Sequence, residues 1–219
     1  MLLEFLLVSH IAVLGYWLGS ELVINSTYRY VSYSAGMPFE ERNRLMDHVM
    51  DVDQHVRYAL VLQAGLGTIL SVRYGYLPGG TGLAWAAAVA MLLWLVLVEV
   101  THRARATGTG RSLATIDRAI RYGVMLSIGI LALLSLTGRL SLPGWLAWKL
   151  ICFAGVIACG LGIRYALMDF YRTWQIIASE GSNDERERQI RRIYVQATSI
   201  LGLLWLFITA ISVLSVMKP

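Results

Sequence analysis

Residues 82–101 read GLAWAAAVAMLLWLVLVEVT, twenty positions in which the only ionisable side chain is Glu99. A helix rises about 1.5 Å per residue, so this stretch is about 30 Å long and matches the hydrocarbon core of a bilayer. Such a run cannot be one face of a soluble helix, because it has no polar side to give to water. It therefore fixes the fold class as an all-α polytopic membrane protein.

The rest of the chain repeats the pattern. Apolar stretches at 2–24, 55–77, 119–140, 145–168 and 193–217 complete a predicted set of six spans in one integral domain covering residues 1–219. Pro78-Gly79-Gly80 and Pro143-Gly144 supply tight turns between spans two and three and between spans four and five. Of the 219 residues, 57% are hydrophobic and 15% charged. A soluble domain carries about 25% charged residues, so no separate soluble domain is expected. The net charge of +5 resides in loops between apolar runs and serves as a topology signal facing anionic lipid. A nucleic-acid role is excluded on this pattern. Cys152 and Cys159 lie in one apolar run and read as small packing residues.

Arginine placement sets the expected orientation. Arg29, Arg42 and Arg44 follow span one. Arg103, Arg105, Arg111 and Arg118 follow span three, and Arg172, Arg186, Arg188, Arg191 and Arg192 follow span five. By the positive-inside rule these loops are cytosolic and both termini face outward, in a bacterial inner membrane. The first loop has structure of its own. Pro38, Glu40 and Glu41 mark a helix start, and Leu45, Val49, Val52 and Val56 form an apolar stripe. Span two is thus expected to begin as a long helix near Phe39. Gly181-Ser182-Asn183-Asp184 reads as a turn in which Asp184 caps the last helix. Gly15 with Gly19, and Gly155 with Cys159, provide small-residue spacing for close helix packing.

Polar residues close to lipid are costly and call for a reason. His48, Asp51 and His55 follow i, i+3, i+7 spacing and share one helix face. Glu99 and His102 form a Glu-x-x-His pair, the arrangement by which helix bundles offer a carboxylate and an imidazole to one metal. With Glu21 and Asp169, these residues are expected at the cytosolic end. Two chemistries suit them. Imidazoles and carboxylates fit a non-haem metal, iron above all, at His48, Asp51, His55, Glu99, His102 and Glu21. Alternatively, His55 and His102 ligate one b-type haem, with Arg57, Arg103 or Arg121 facing its propionates. The plain alternative is ion pairing at the headgroups, for which Arg57, Arg103, Arg118, Arg121 and Arg164 are available.

His10 and Lys149 stand apart from that cluster. By helix rise His10 lies roughly 12 Å and Lys149 roughly 7 Å from the outer ends of spans one and five. Lys149 is near enough to the end to snorkel beside Trp145 and Trp148, whereas His10 is too deep. The stretch Ser9-His10-Ile11-Ala12-Val13-Leu14-Gly15-Tyr16-Trp17-Leu18-Gly19 resembles the first helix of the membrane superfamily that contains the copper-resistance D proteins and the HemJ-type protoporphyrinogen oxidases. Trp145-Leu146-Ala147-Trp148-Lys149-Leu150 resembles the lysine-bearing helix of the same group. The resemblance implies that His10 is a haem or metal ligand. It also implies that Lys149 is a catalytic partner directed at a propionate or substrate acid.

These readings converge on a membrane redox protein that binds haem b or a non-haem metal and transfers electrons or oxidises a small substrate. Its expected partners are the lipid bilayer, a quinone or redox protein, and further copies or a larger membrane complex. Two alternatives stand beside it: a copper or other metal-ion permease, and a non-catalytic membrane subunit.

Overall fold

The computed structural model describes residues 1–105 and 107–218. It contains six α-helices in sequence: α1 (Leu2–Tyr33), α2 (Phe39–Arg73), α3 (Gly80–Arg103), α4 (Gly108–Leu136), α5 (Gly144–Glu180) and α6 (Asp184–Met217). Five of them are long and apolar enough to cross a membrane. The exception is α2, whose apolar half also carries His55, Arg57 and Gln63.

Four helices contain their predicted apolar runs whole, whereas α2 and α4 end at Arg73 and Leu136, a few residues short of the predicted ends at 77 and 140. The α1 helix proceeds past residue 24 to Tyr33, and α5 proceeds past residue 168 to Glu180. The α4 helix starts at Gly108 rather than near residue 119, and ends at Leu136. Intrahelical hydrogen bonds continue into the polar ends wherever no breaker intervenes, so hydropathy alone draws these helices too short. The long second helix begins at Phe39 as expected, with Glu41 and Arg42 donating backbone N–H bonds to the Pro38 carbonyl. At the α5–α6 turn the cap lies one residue earlier than predicted. The Asn183 side chain accepts from the Arg186 N–H, and Asp184 is the first helical residue.

The helices divide into two compact units. The first comprises 1–24 and 48–121, and the second 25–47 and 122–219. In the first unit, Ile69, Val72 and Ala84 pack with Leu6, Leu77, Ala87 and Ala88, which joins α1, α2 and α3. Gly65 lets α2 approach α3 closely, because a Cβ there would sit 2.4 Å from Met91 Sδ. In the second unit, α5 and α6 pack side by side. A Cβ at Gly155 would meet the Phe207 ring at 2.8 Å, so the small residue expected to permit close packing does so here. Gly15 and Gly19, by contrast, have nothing within 4 Å of a notional Cβ.

Candidate functional site

The first unit holds most of the polar residues anticipated from the sequence. His48, Asp51 and His55 do share a face of α2, but that face is exposed, while Met46, Val49 and Gln54 turn inward. The reason lies in the helical repeat. The buried positions leave about 100° of arc or more on the opposite side, and the His/Asp spacing falls there.

Asp51, His55, Glu99 and His102 are each engaged by a near neighbour, and His48 is exposed. Tyr16 Oη on α1 and His55 Nδ1 on α2 are hydrogen-bonded. The Tyr58 hydroxyl donates to Glu99 Oε2, joining α2 to α3, and Arg103 Nε donates to Glu99 Oε1. The His55 ring lies edge-on to both phenols, with ring centres 5.7 Å from Tyr16 and 6.3 Å from Tyr58. His102 Nε2 is 3.9 Å from Asp51 Oδ1, which also accepts from Arg105 at 3.1 Å. Tyr16, His55, Tyr58, Glu99 and Arg103 thus make a polar row along the accessible edge of α1, α2 and α3. In the second unit Asp169 is exposed and pairs with Arg172 at 2.9 Å.

This arrangement bears directly on ligands. Among the described residues, no three or more His, Cys, Asp or Glu side chains gather in a group able to hold a metal. The spaced carboxylates and imidazoles are taken up pairwise by tyrosine and arginine. They do not fit a shared multi-ligand ion. His55 and His102 also turn to different neighbours, Tyr16 on α1 and Asp51 on α2. Arg57, expected at a propionate, instead donates from Nε and Nη2 to Asp53 at 2.8 and 2.6 Å.

His10 sits deeper in the same unit. A Cβ on Gly67 would lie 3.4 Å from His10 Cε1, so the glycine gives the imidazole its room. Gln63 Nε2 donates to the His10 carbonyl at 2.8 Å and fixes the helix beside it. Gly67 is twelve residues beyond His55, about 18 Å along α2. His10 and His55 therefore lie at different levels of the unit. Lys149 belongs to the second unit, where it is half-buried.

Sequence reasoning missed Asp117 and Asp53, the acidic partners of Arg121 and Arg57 in the first unit. Asp117 on α4 is 3% exposed, accepts from Trp94 Nε1 at 2.9 Å and pairs with Arg121 at 2.9 Å. Glu21 is buried too and accepts from Trp17 Nε1 at 3.2 Å. The signal for Asp53–Arg57 and Asp117–Arg121 was present as acid-then-arginine i, i+4 spacing, which brings two side chains together on one helix face.

No protein-family model, curated protein or solved structure matches this chain.

Proposed function

We propose that this chain is a six-span inner-membrane redox protein with both termini outside, and that it exchanges hydrogen with a lipid-soluble carrier of the quinone class along the polar row of α1, α2 and α3. One observation carries the reading. Two hydrogen-bonded donor pairs, Tyr16–His55 and Tyr58–Glu99, adjoin each other on an accessible edge. Polar groups at that level of a membrane protein are expensive and are characteristically functional.

The chemistry balances simply. Conversion of a quinone to a quinol takes two electrons from a reduced partner or cofactor and two protons from the protein. The phenol of Tyr58 and the imidazole of His55 are placed to deliver those protons to the carrier oxygens. Glu99 and Tyr16 stand behind them as the groups through which each donor is recharged. Positioned proton donors of this kind contribute about 100-fold or more in rate. His10, beside Gly67, is the residue that would hold a haem, which would supply one-electron chemistry.

Oxidised and dithionite-reduced absorption spectra of the detergent-purified protein, with elemental analysis of the same sample, test the redox assignment. Reduced haem bands are expected. The carrier assignment is tested by oxidation of a short-chain quinol, which Tyr58→Phe and His55→Gln should slow by about 100-fold. A folded protein with no redox centre, and with quinol oxidation indifferent to both substitutions, would overturn the reading.

A further inference from the structure

The seam between α1 and α6, inside the second unit, ends in unmatched positive charge. Thr198 Oγ1 on α6 donates to Asn25 Oδ1 on α1 at 3.0 Å. Further along, the Tyr194 ring lies edge-on to Tyr28 and to Tyr33, with ring centres 5.2 and 5.8 Å away. These contacts run in opposite directions along the two helices and define the sides that face each other. Asn25, Arg29 and Tyr33 are spaced i, i+4, i+8, so Arg29 lies on the side of α1 that meets α6. Arg191 precedes Tyr194 by three residues and Thr198 by seven, so it lies on the side of α6 that meets α1. By helix rise Arg29 is about 6 Å beyond Asn25, and Arg191 about 10 Å beyond Thr198 in the same direction. The two arginines therefore flank one seam at levels about 4 Å apart.

No acid matches them. Arg29 is exposed and Arg191 half-buried, and among the described residues neither forms an ion pair. Arg172, Arg186 and Arg188 of the same unit are paired with Asp169, Glu180 and Glu185. Glu187, one turn before Arg191, has both carboxylate oxygens on Arg42. The residues one turn to either side of Arg29 are Asn25, Ser26, Ser32 and Tyr33, all uncharged. The apolar run of α1 ends at residue 24 and that of α6 begins at 193, so the arginines stand where both runs give way to polar sequence. That is the level of lipid headgroups, and the exposed phenols of Tyr30 and Tyr33 beside them suit it. Two like charges on one seam repel unless an anion is shared between them. Guanidiniums bind phosphate oxygens through paired N–H groups.

We propose that Arg29 and Arg191 bind the phosphodiester of an anionic phospholipid, in the leaflet that meets this end of α1 and α6. Charge complementarity selects the class of lipid. A zwitterionic headgroup would bring its own ammonium toward two cations, with no free carboxylate to receive it. An anionic headgroup carries no such group and neutralises part of the pair. Val195, one turn from Arg191 on the apolar side, is exposed and gives the acyl chains a surface to follow. The site does not use the Tyr16–His55 and Tyr58–Glu99 pairs, so it stands or falls apart from the proposed quinone chemistry.

The test is native mass spectrometry of the detergent-purified full chain, titrated in parallel with phosphatidylglycerol and phosphatidylethanolamine of identical acyl chains. The wild type should retain one phosphatidylglycerol about tenfold more tightly than phosphatidylethanolamine. Arg29→Gln and Arg191→Gln should each remove most of that preference, and the double substitution all of it. Arg192→Gln is the control. Arg192 is exposed and two residues before Tyr194, hence on the far side of α6, and its loss should leave the preference unchanged. Equal retention of the two lipids, a preference that survives the double substitution, or the same loss in Arg192→Gln would overturn the assignment. Release of the lipid by inorganic phosphate, but not by chloride at equal ionic strength, would make this a site for free phosphate. Release by polyglutamate under the same control would make it a site for an acidic protein segment. Either result overturns the lipid reading.

Discussion

Arg42 grips Glu187 with both terminal nitrogens, Nη1 to Oε1 at 2.8 Å and Nη2 to Oε2 at 3.0 Å, although 145 positions separate them in sequence. The arginine is 1% exposed. Its Nη2 also donates to the Val31 carbonyl at 3.1 Å, and its guanidinium lies 5.0 Å from the ring centre of Trp174. One residue therefore ties the ends of α1, α2, α5 and α6 together inside the second unit. Removing one partner of such a pair strands the other charge away from water, at a cost of about 3–5 kcal/mol. Arg42→Ala and Glu187→Ala are each expected to lower the thermal midpoint in detergent sharply. The double substitution Arg42→Met with Glu187→Leu leaves no stranded charge and should cost less than either single change. A double variant as unstable as the sum of the singles would show that the pair contributes more than its mutual compensation.

The same pair gives the second unit an acid limit. Glu187 precedes the apolar stretch of α6. Burial opposes its ionisation, but the hydrogen bonds from Arg42 and Ser182 prevail and hold its carboxyl below the usual range. A carboxyl with a depressed folded-state pKa contributes stability above its unfolded value, about 4.3, and that contribution disappears as pH falls through the folded value. The thermal midpoint should therefore drop more steeply below about pH 4 in wild type than in Glu187→Gln, whose side chain does not titrate. Parallel curves for the two proteins would remove Glu187 from the acid response.

Two glycines on α1 and α2 should behave in opposite ways. At Gly65 a new Cβ would lie 2.4 to 2.7 Å from three Met91 atoms, including Cβ, which a rotamer change cannot move away. Gly65→Ala should separate α2 from α3 and destabilise by about 1–3 kcal/mol. At Gly15 nothing lies within 4 Å. There the better helix propensity of alanine, up to about 1 kcal/mol, is unopposed, so Gly15→Ala should leave stability unchanged or raise it. Loss of stability in Gly15→Ala would instead show that the open face is covered by another molecule. Thermal midpoints of the two variants in one detergent decide between these outcomes.

The existence and order of the helices were legible because five of the six carry an apolar run of near-bilayer length, as in residues 82–101. Their ends were not, because polar helical extensions such as 25–33 of α1 and 169–180 of α5 carry no apolar signal. A similar division holds at the candidate site. Spacing placed His48, Asp51 and His55 on one face, since that depends on a single helix. Which neighbour each residue meets depends on the rotation and register of two helices. Tyr16–His55, Tyr58–Glu99 and Trp94–Asp117 are therefore visible only in the folded chain. Gly67 likewise looked like any small residue until His10 was seen against it.

That last contact separates the two cofactor assignments. If His10 carries a haem as its single axial ligand, His10→Ala should abolish or strongly shift the haem spectrum. Gly67→Val, which adds bulk where Cε1 already lies 3.4 Å from a notional Cβ, should displace the imidazole and perturb the spectrum less. Arg73→Ala, at the end of α2, serves as the control and should leave the spectrum unchanged. Glu99→Gln asks the other question. It keeps a carbonyl for the Tyr58 hydroxyl but removes the charge that Arg103 binds. A fall in bound metal on Glu99→Gln, with haem unaltered, would locate a centre at the polar row despite the pairwise engagement of its members. Intact metal content with slowed quinol oxidation would instead give Glu99 the proton-supplying role proposed for it. If His10→Ala and Glu99→Gln both left cofactor content and quinol oxidation untouched, neither the deep histidine nor the polar row would be part of a redox site.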